Sequence, residues 1–566
     1  MGKKKELVLV EKDEDGRIRI IPADEMAMLN ERDESEIKAS LSSWAAREAL
    51  KSKLDTMSGT EVRKFVDYAK EQGMKMSFAD MEKGIINAGH MDMKKGLEEI
   101  ANSIKPDIPC CSECGNKMES HGRSKKKVLT SVGYIVYYRT LYICKKCCSK
   151  QVAYPADTYI RTIEYEVILK DKTKVKLQLK CTRTAGEKIA LVVSTMPYEK
   201  AIKILFELTG INVDKMTAHR ATNSIAAETV KEPLTKIDTA EISEITEKME
   251  NSILKARVAD LEKPENIDSS NEIIREAIEN KPDGVYYKDY KEPTKKTMYV
   301  MGDGTGIPGR REELKGIKGK QSDGSAKTFE AKVGTAFIVE CTLDGRPLLT
   351  KKGEIYRDRE VYYIGTTKGS KDFGAMLYQY ALDNGLKDMN SVVFIGDGAK
   401  WLWKIQEKYF PYALPLIDKY HAIEHVNSMI DLLQFKRKQI ASQKGAFSKK
   451  CVELLSYGKV DEMIKLISEM PCKKSKKKTL EKRKKYFTSN IDKMKYGIFK
   501  ACGIYVGSGV VEAACKSAVG DRMKRAGMHW AKRTGNNMVS LQCSVLNDVF
   551  QKALPFSGER REKKVA

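Results

Sequence analysis

Read as amino acids alone, the chain predicts a multidomain α/β protein, and three observations carry that prediction. Its 566 residues exceed what a single hydrophobic core fills, so about two to four domains are expected. Two Cys-x-x-Cys pairs bracket a β-rich segment near residue 130. From about residue 296, short apolar runs rich in β-branched residues alternate with helical periodicity.

Composition narrows the class. Hydrophobic residues make up 41% and charged residues 32%, enough for real cores in a soluble chain. The formal charge is +24, from 102 Lys plus Arg against 78 Asp plus Glu. An excess of that size suits a polyanion, because neutralised phosphates release condensed counterions; taken alone it favours nucleic acid only modestly over a merely basic surface. No run approaches the ~18 apolar residues of a membrane span, and the opening MGKKKELVLVEKDEDGRIRI lacks the apolar core of a secretory signal. A cytoplasmic protein with no membrane partner is expected. Its thirteen cysteines then read as metal ligands and core residues, not disulfides.

Taken in order, residues 1–105 are charged and helical in pattern, with no readable role. Residues 106–158 alternate as strands around the cysteine pairs. Helical periodicity returns over 159–255, and the polar stretch 256–295, with KPENIDSSN and NKPDG, reads as a linker. In 296–419, TMYVMGD, FEAKVGTAFIVE, EVYYIGTT, SVVFIGD and LPLID read as strands, with a helix from about 400 to 410. Residues 420–505 are helical and rich in lysine, 506–552 hold further helices, and 553–566 form a basic tail.

Cys111-Ser-Glu-Cys114 and Cys144-Lys-Lys-Cys147 each place two thiolates on one tight turn, with 29 residues between the pairs. Two such knuckles complete a tetrahedral four-sulfur zinc site, and the intervening β-rich segment is what a zinc ribbon needs. Cys110 and Cys148 flank the knuckles, but only the inner register gives the spacing twice. The segment HGRSKKK between the pairs reads as a basic loop, and His121 as a loop residue.

Residues 197–226 have the layout of two helices and a short turn. Ala201, Ile204, Leu205 and Leu208 share one face, Gly210 suits a left-handed turn, and Asp214 can cap the second helix. That helix would present Thr217, His219, Arg220 and Asn223 to DNA. An ordinary helical hairpin fits the pattern equally well, and the basic charge tips the reading toward DNA.

Asp303 and Asp397 each end an apolar strand and precede a glycine. Side by side, two such carboxylates could hold two Mg²⁺ ions about 4 Å apart; one alone is usually a turn residue. A third carboxylate is sought on a packed helix, and Glu512 borders a stripe of Val511, Ala514, Cys515 and Ala518 in a helix that Ser508 could cap. By spacing alone, Glu512 reads more simply as a surface partner of Lys516. The run Gly302-Asp303-Gly304-Thr305-Gly306 is not a dinucleotide site, because Pro308 and GRREE follow where a helix should start.

At these residues the chain resembles the ISKra-type insertion-sequence transposases, a bacterial family with an RNase H-like catalytic domain. MGDGTGIPGRREELKGIKGKQSDGSAKT, VVFIGDGAKWLWKIQEKYFP, LIDKYHAIEH and GSGVVEAACKSAVGDRMKRAGMHW carry the resemblance, joined by the cysteine segment, over about 110–550. It departs at Ala399-Lys400, where the family pattern has Ala-Pro. The resemblance implies an α/β RNase H-like core with an all-α insertion, preceded by a zinc ribbon and a helical DNA-binding region. It implies a catalytic triad of Asp303, Asp397 and Glu512 holding two Mg²⁺ or Mn²⁺ ions, beside a structural Zn²⁺. Asp418-Lys-Tyr-His421 is similar to the C/DxxH signature of related transposases and puts His421 near the metals; without the resemblance, His421 and His425 could equally be a buried hydrogen-bonded pair. The implied activity is cleavage and transfer of DNA strands at transposon ends, by at least a dimer. A catalytically silent DNA-binding regulator and an RNase H-like nuclease are the competing readings.

Several basic positions then become candidate DNA contacts. Lys320 and Lys327 lie in a Gly/Ser/Lys loop between the first two strands. Arg522, Lys524, Arg525, His529, Lys532 and Arg533 follow the Glu512 helix, with Trp530 placed to stack on an unpaired base, although a tryptophan is more often a core residue. The run 473–485, nine Lys or Arg against one Glu, is usually a solvated linker and may here touch phosphates without sequence preference.

Overall fold

A computed structural model describes residues 60–72, 77–147, 151–168, 173–232, 239–250, 252–279, 284–317, 325–343, 345–356, 361–435, 440–507 and 509–550, with short pieces at 10–12, 18–20 and 319. The chain divides into two units, one spanning Met1–Arg161 with Thr209–Ile211, the other Thr162–Leu208 with Asn212–Ala566.

In the first unit, helices α1 (Thr60–Gln72) and α2 (Phe78–Ser103) precede a long hairpin of β1 (Glu119–Thr130) and β2 (Gly133–Ile143). The two strands pair antiparallel from Glu119↔Ile143 to Thr130↔Gly133, and β3 (Val152–Ala153) adds to the edge of β2. HGRSKKK is therefore a strand and not the expected loop. Alternation turns Arg123, Lys125 and Lys127 outward, while Lys126 and Arg139 converge on Asp157. Asp157 also accepts the hydroxyl of the buried Tyr137 at 2.6 Å.

The second unit opens on β4 (Thr162–Ile168) and β5 (Lys174–Thr182), an antiparallel hairpin where helix was expected; the period-two pattern of Lys174 to Thr182 explains it. Then come α3 (Arg183–Thr195), α4 (Tyr198–Thr209) and α5 (Lys215–Glu228). The turn forms as predicted, with Gly210 at φ +67° and Asp214 capping Thr217 N–H at 2.9 Å. The packing differs from expectation. Leu208 is 73% exposed, because the buried face runs through Ala201 and Leu205 instead. His219 and Asn223 bond each other at 3.1 Å, and Asn537 donates to the Asn223 carbonyl at 3.3 Å. Residues 162–208 and 212–255 thus belong to the larger unit.

The stretch expected as a linker, 256–295, folds instead. After α6 (Thr239–Glu250), helices α7 (Ile253–Leu261) and α8 (Ile267–Glu279) occupy it, and Arg257 donates to the Gly345 carbonyl at 2.6 Å. Its polar residues are the solvent faces of amphipathic helices, which a composition reading mistakes for a linker.

The central sheet is mixed. Its strands are β6 (Lys295–Pro308), β7 (Thr328–Cys341), β8 (Tyr362–Thr366), β9 (Ser391–Gly396) and β10 (Leu414–Ile417), in the spatial order β8-β7-β6-β9-β10. The first three form an antiparallel meander; β9 runs parallel to β6, and β10 parallel to β9. Helices α9 (Ser370–Asp383) and α10 (Lys400–Tyr409) make the crossovers that parallel strands require. The core fills with Met298, Val300, Phe373, Leu377, Phe394 and Leu402, all fully buried. Beyond β10 run α11 (Lys419–Ile430), α12 (Ile440–Ser456), α13 (Val460–Glu469), α14 (Lys474–Thr488) and α15 (Tyr496–Ala501). The lysine run of 473–485 is thus helical, anchored by buried Leu480 and Phe487. Last come α16 (Gly509–Cys515), a π-turn at Lys516–Gly520, and α17 (Lys532–Leu546).

Candidate metal centres

The four predicted cysteines converge. Sγ atoms of Cys111 and Cys147 lie 3.6 Å apart, those of Cys114 and Cys144 3.6 Å, and those of Cys144 and Cys147 3.5 Å. All four lie within 4.8 Å of one another, a set that could hold a metal such as zinc. The strands fix both knuckles through backbone bonds, Cys111 N–H to Asn116 O and Cys144 N–H to Gln151 O, each 2.9 Å. Backbone N–H groups of Cys114 and Glu113 aimed at Cys111 pull its thiol down to about 6, the thiolate form a metal takes. Cys110 is exposed and outside the cluster, as the inner register requires.

Asp397 directly follows β9, as expected, but Asp303 lies inside β6 and does not end it: pairing with β7 carries the strand five residues further, to Pro308. Along β6, Asp303 and Thr305 face one side of the sheet and Gly302, Gly304 and Gly306 the other. Ile395 pairs with Met301, so two residues further on, Asp397 stands beside Asp303. Asp397 turns back to accept Ala399 N–H at 2.8 Å. Gly398, at φ +90°, lets the chain leave the strand there. Asp303 accepts Gly304 N–H at 2.7 Å and is bonded by the Cys515 thiol of α16. Burial raises the pKa of Asp303, and the charge of Asp397 adds to the rise, against opposing contributions from Cys515, Gly304 and His421.

Glu512 lies on α16, whose Val511, Ala514, Cys515 and Ala518 are buried as predicted. Its Oε1 is 3.9 Å from His421 Nδ1. Asp418, fully buried, caps α11 by accepting His421 N–H at 2.8 Å, and its Oδ2 stands 3.3 Å from His421 Nδ1. That bond and the charges of Asp418 and Asp397 raise His421 to about 9, so it is a cation at neutral pH. Asp418, His421 and Glu512 form the second cluster whose ligand atoms lie within 4.8 Å, and this group could also hold a metal. Among the described residues, then, the predicted triad falls into two parts. Asp303 and Asp397 stand together on neighbouring strands, and Glu512 joins His421 and Asp418. Charge links the two parts, because His421 lowers Asp303 while Asp397 acts on both.

Sequence reading missed two contributors. Cys515 was taken only as helix packing, although its i,i+3 spacing from Glu512 puts both on adjoining faces of α16. Tyr486, directly after the lysine run, donates its hydroxyl to the Asp397 carbonyl at 3.2 Å and lies against His425, ring centroids 4.3 Å apart. No local pattern marks a tyrosine that acts from 89 residues away.

The candidate DNA contacts divide. Trp530 is buried, donating Nε1–H to Met523 O at 3.1 Å, and its backbone bonds Pro308 and Arg310; it is a core residue and cannot stack on a base. Arg522 is buried too. It donates Nε–H to Val193 O at 2.7 Å beneath the rings of Tyr198 and Trp530, and burial lowers it to about 10. The GMHW stretch folds back to cover β6, which removes both side chains from the surface. Lys327, Arg220, Arg525, His529, Lys532 and Arg533 are exposed, as is Lys524, which bonds the Thr305 hydroxyl. Lys320 and Ser508 lie outside the described residues. No described helix is long and apolar enough to cross a membrane. No family model matches the chain, and no curated protein matches it.

Proposed function

We propose that this chain is a metal-dependent DNA transposase that cuts and joins DNA strands at the ends of an insertion sequence, working in the cytoplasm as at least a dimer. The observation that carries the proposal is that Asp303, on β6, lies near Asp397, the residue just after the neighbouring parallel strand β9, with the Glu512 helix bonded to Asp303 through Cys515. A three-strand antiparallel meander extended by two parallel strands, with the first carboxylate on the central strand, supports reading the core as RNase H-like.

The donor set fits hard divalent cations. Carboxylate oxygens suit Mg²⁺ and Mn²⁺, and burial, with the charge of Asp397 added, holds Asp303 above the usual carboxylate range, a rise that a bound cation would offset. Asp303, Asp397 and Glu512 would hold the cations, which when bound activate the attacking oxygen and stabilise the leaving one. His421, held cationic by Asp418, orients Glu512 and offers an N–H to a phosphate oxygen. In the first step water attacks the phosphorus and breaks the P–O3′ bond, leaving a 5′-phosphate and a free 3′-hydroxyl. In the second that hydroxyl attacks a phosphodiester of target DNA, joining to its phosphorus and displacing the target's own 3′-oxygen as a hydroxyl. The four-cysteine cluster would carry a structural zinc, and Arg123, Lys125 and Lys127 on β1 would meet the duplex backbone.

The test is incubation of duplexes from the DNA flanking the gene with Mg²⁺ and either the wild type or Asp397→Ala. Nicked and joined products from the wild type alone are expected. Binding without cleavage would overturn the proposal in favour of a regulator. Cleavage indifferent to end sequence, with no joined product, would overturn it in favour of a nuclease.

A further inference from the structure

We propose that the groove on the face of β6 turned away from Asp303 is a phosphodiester site that grips duplex DNA outside the bond being cut; this rests on the transposase reading above. The groove has a volume of about 540 Å³ and runs between the ends of β6 and β7, the start of α9 and the start of α17.

Its floor is backbone. A Cβ on Gly304 would stand 2.6 Å from Glu330 Oε1, and one on Gly306 2.7 Å from Thr328 Oγ1. Glycine at both positions keeps that face of β6 bare, so a strand of nucleic acid can lie close to it.

Its charge is positive. Lys332, Lys368 and Lys532 line it against one carboxylate, Glu330. Lys332 is buried, pairs with Glu330 and lies 5.4 Å from the centre of the Trp401 ring, so that carboxylate is neutralised where it stands. Lys368 and Lys532 remain to meet an anion. Lys368 does pair with Glu232, but Glu232 is 76% exposed, and so open a pair yields readily to a phosphate.

Position separates it from the carboxylates: alternation puts Gly304 and Gly306, with Lys332 and Glu330 paired to them, on the face of the sheet opposite Asp303.

The test uses the full chain and a fluorescein-labelled duplex of about 30 base pairs and arbitrary sequence, titrated by anisotropy over a range of salt. Each lost phosphate contact lowers the slope of log Kd against log salt by about 1. Lys368→Gln with Lys532→Gln is expected to lower it by about 2 and to raise Kd at 0.15 M salt about 10- to 30-fold. The corresponding double Arg variant keeps both near wild type, and Lys465→Gln, on another helix, leaves the slope unchanged. A double Gln variant with Kd within about twofold of wild type and an unchanged slope overturns the groove and leaves the transposase reading standing. A wild type that binds no duplex overturns both. Should the double variant unfold, the exposed Lys532→Gln alone decides: a slope lowered by about 1 supports the site, and an unchanged slope overturns it.

Discussion

Gly398→Ala isolates the turn that aims Asp397. Gly398 has φ +90°, where a Cβ crowds its own carbonyl at a cost of about 1–2 kcal/mol. That Cβ would also stand 2.7 Å from the ring of Tyr486, and forcing a packed ring aside costs about 1–3 kcal/mol. The two add to about 2–5 kcal/mol. Three of the four tryptophans, Trp401, Trp403 and Trp530, belong to the unit that holds this turn, so urea unfolding followed by tryptophan fluorescence reads it. Repeating the substitution in a Tyr486→Ala background removes the ring but not the backbone conformation, so its cost there is expected to drop to about 1–2 kcal/mol. Equal costs in the two backgrounds would refute the packing argument, and no cost in either would refute the turn geometry itself.

Other consequences can be checked as directly. Purified protein is expected to carry about one zinc per chain and Cys144→Ser none; zinc content by mass spectrometry decides, and retention of the metal by the variant would dismiss the four-cysteine site. Trp530→Ala is expected to cost about 3–5 kcal/mol while the folded protein keeps its DNA affinity; unchanged stability with lost affinity would return Trp530 to the DNA. Burial first, then the charges of Arg310 and Arg220, hold His219 below its ordinary 6.5. A histidine kept neutral by the fold contributes fully above pH 6.5 or so and loses that contribution as pH falls through its depressed value. The urea midpoint should therefore fall between pH 7.5 and 5, and fall less in His219→Gln; matching pH profiles would contradict this.

What was legible in the sequence follows from range. The strands leading to Asp303 and Asp397 were readable because apolar runs and glycines are local signals; β9 stops just before Asp397 as expected, whereas β6 runs past Asp303 to Pro308 because its long-range pairing with β7 continues. The cysteine cluster was readable because ligand spacing is itself a distance constraint. The stretch 256–295 was misread because amphipathic helices with polar outer faces have the composition of a linker. Arg522 and Trp530 were misread for a related reason: a basic, aromatic segment resembles a DNA contact until the chain is seen to fold back under Val193 and Pro308. Tyr486, Lys332 and Lys368 were invisible, and Lys532 was read only as one basic residue of its segment, since only tertiary packing brings Lys332, Lys368 and Lys532 together. Glu512 lies between these cases: its helix stripe was local and readable, while its approach to His421 depends on a partner 91 residues earlier.

Glu512 is accordingly where the proposed chemistry is most exposed to test. The measurement is the rate of Mg²⁺-dependent nicking of a terminal-repeat duplex by Glu512→Gln, with duplex affinity determined alongside. Loss of a carboxylate that holds catalytic cations predicts a rate at least ~100-fold below wild type with affinity preserved. A rate within about threefold of wild type would make Glu512 a surface partner of His421 and remove it from the triad.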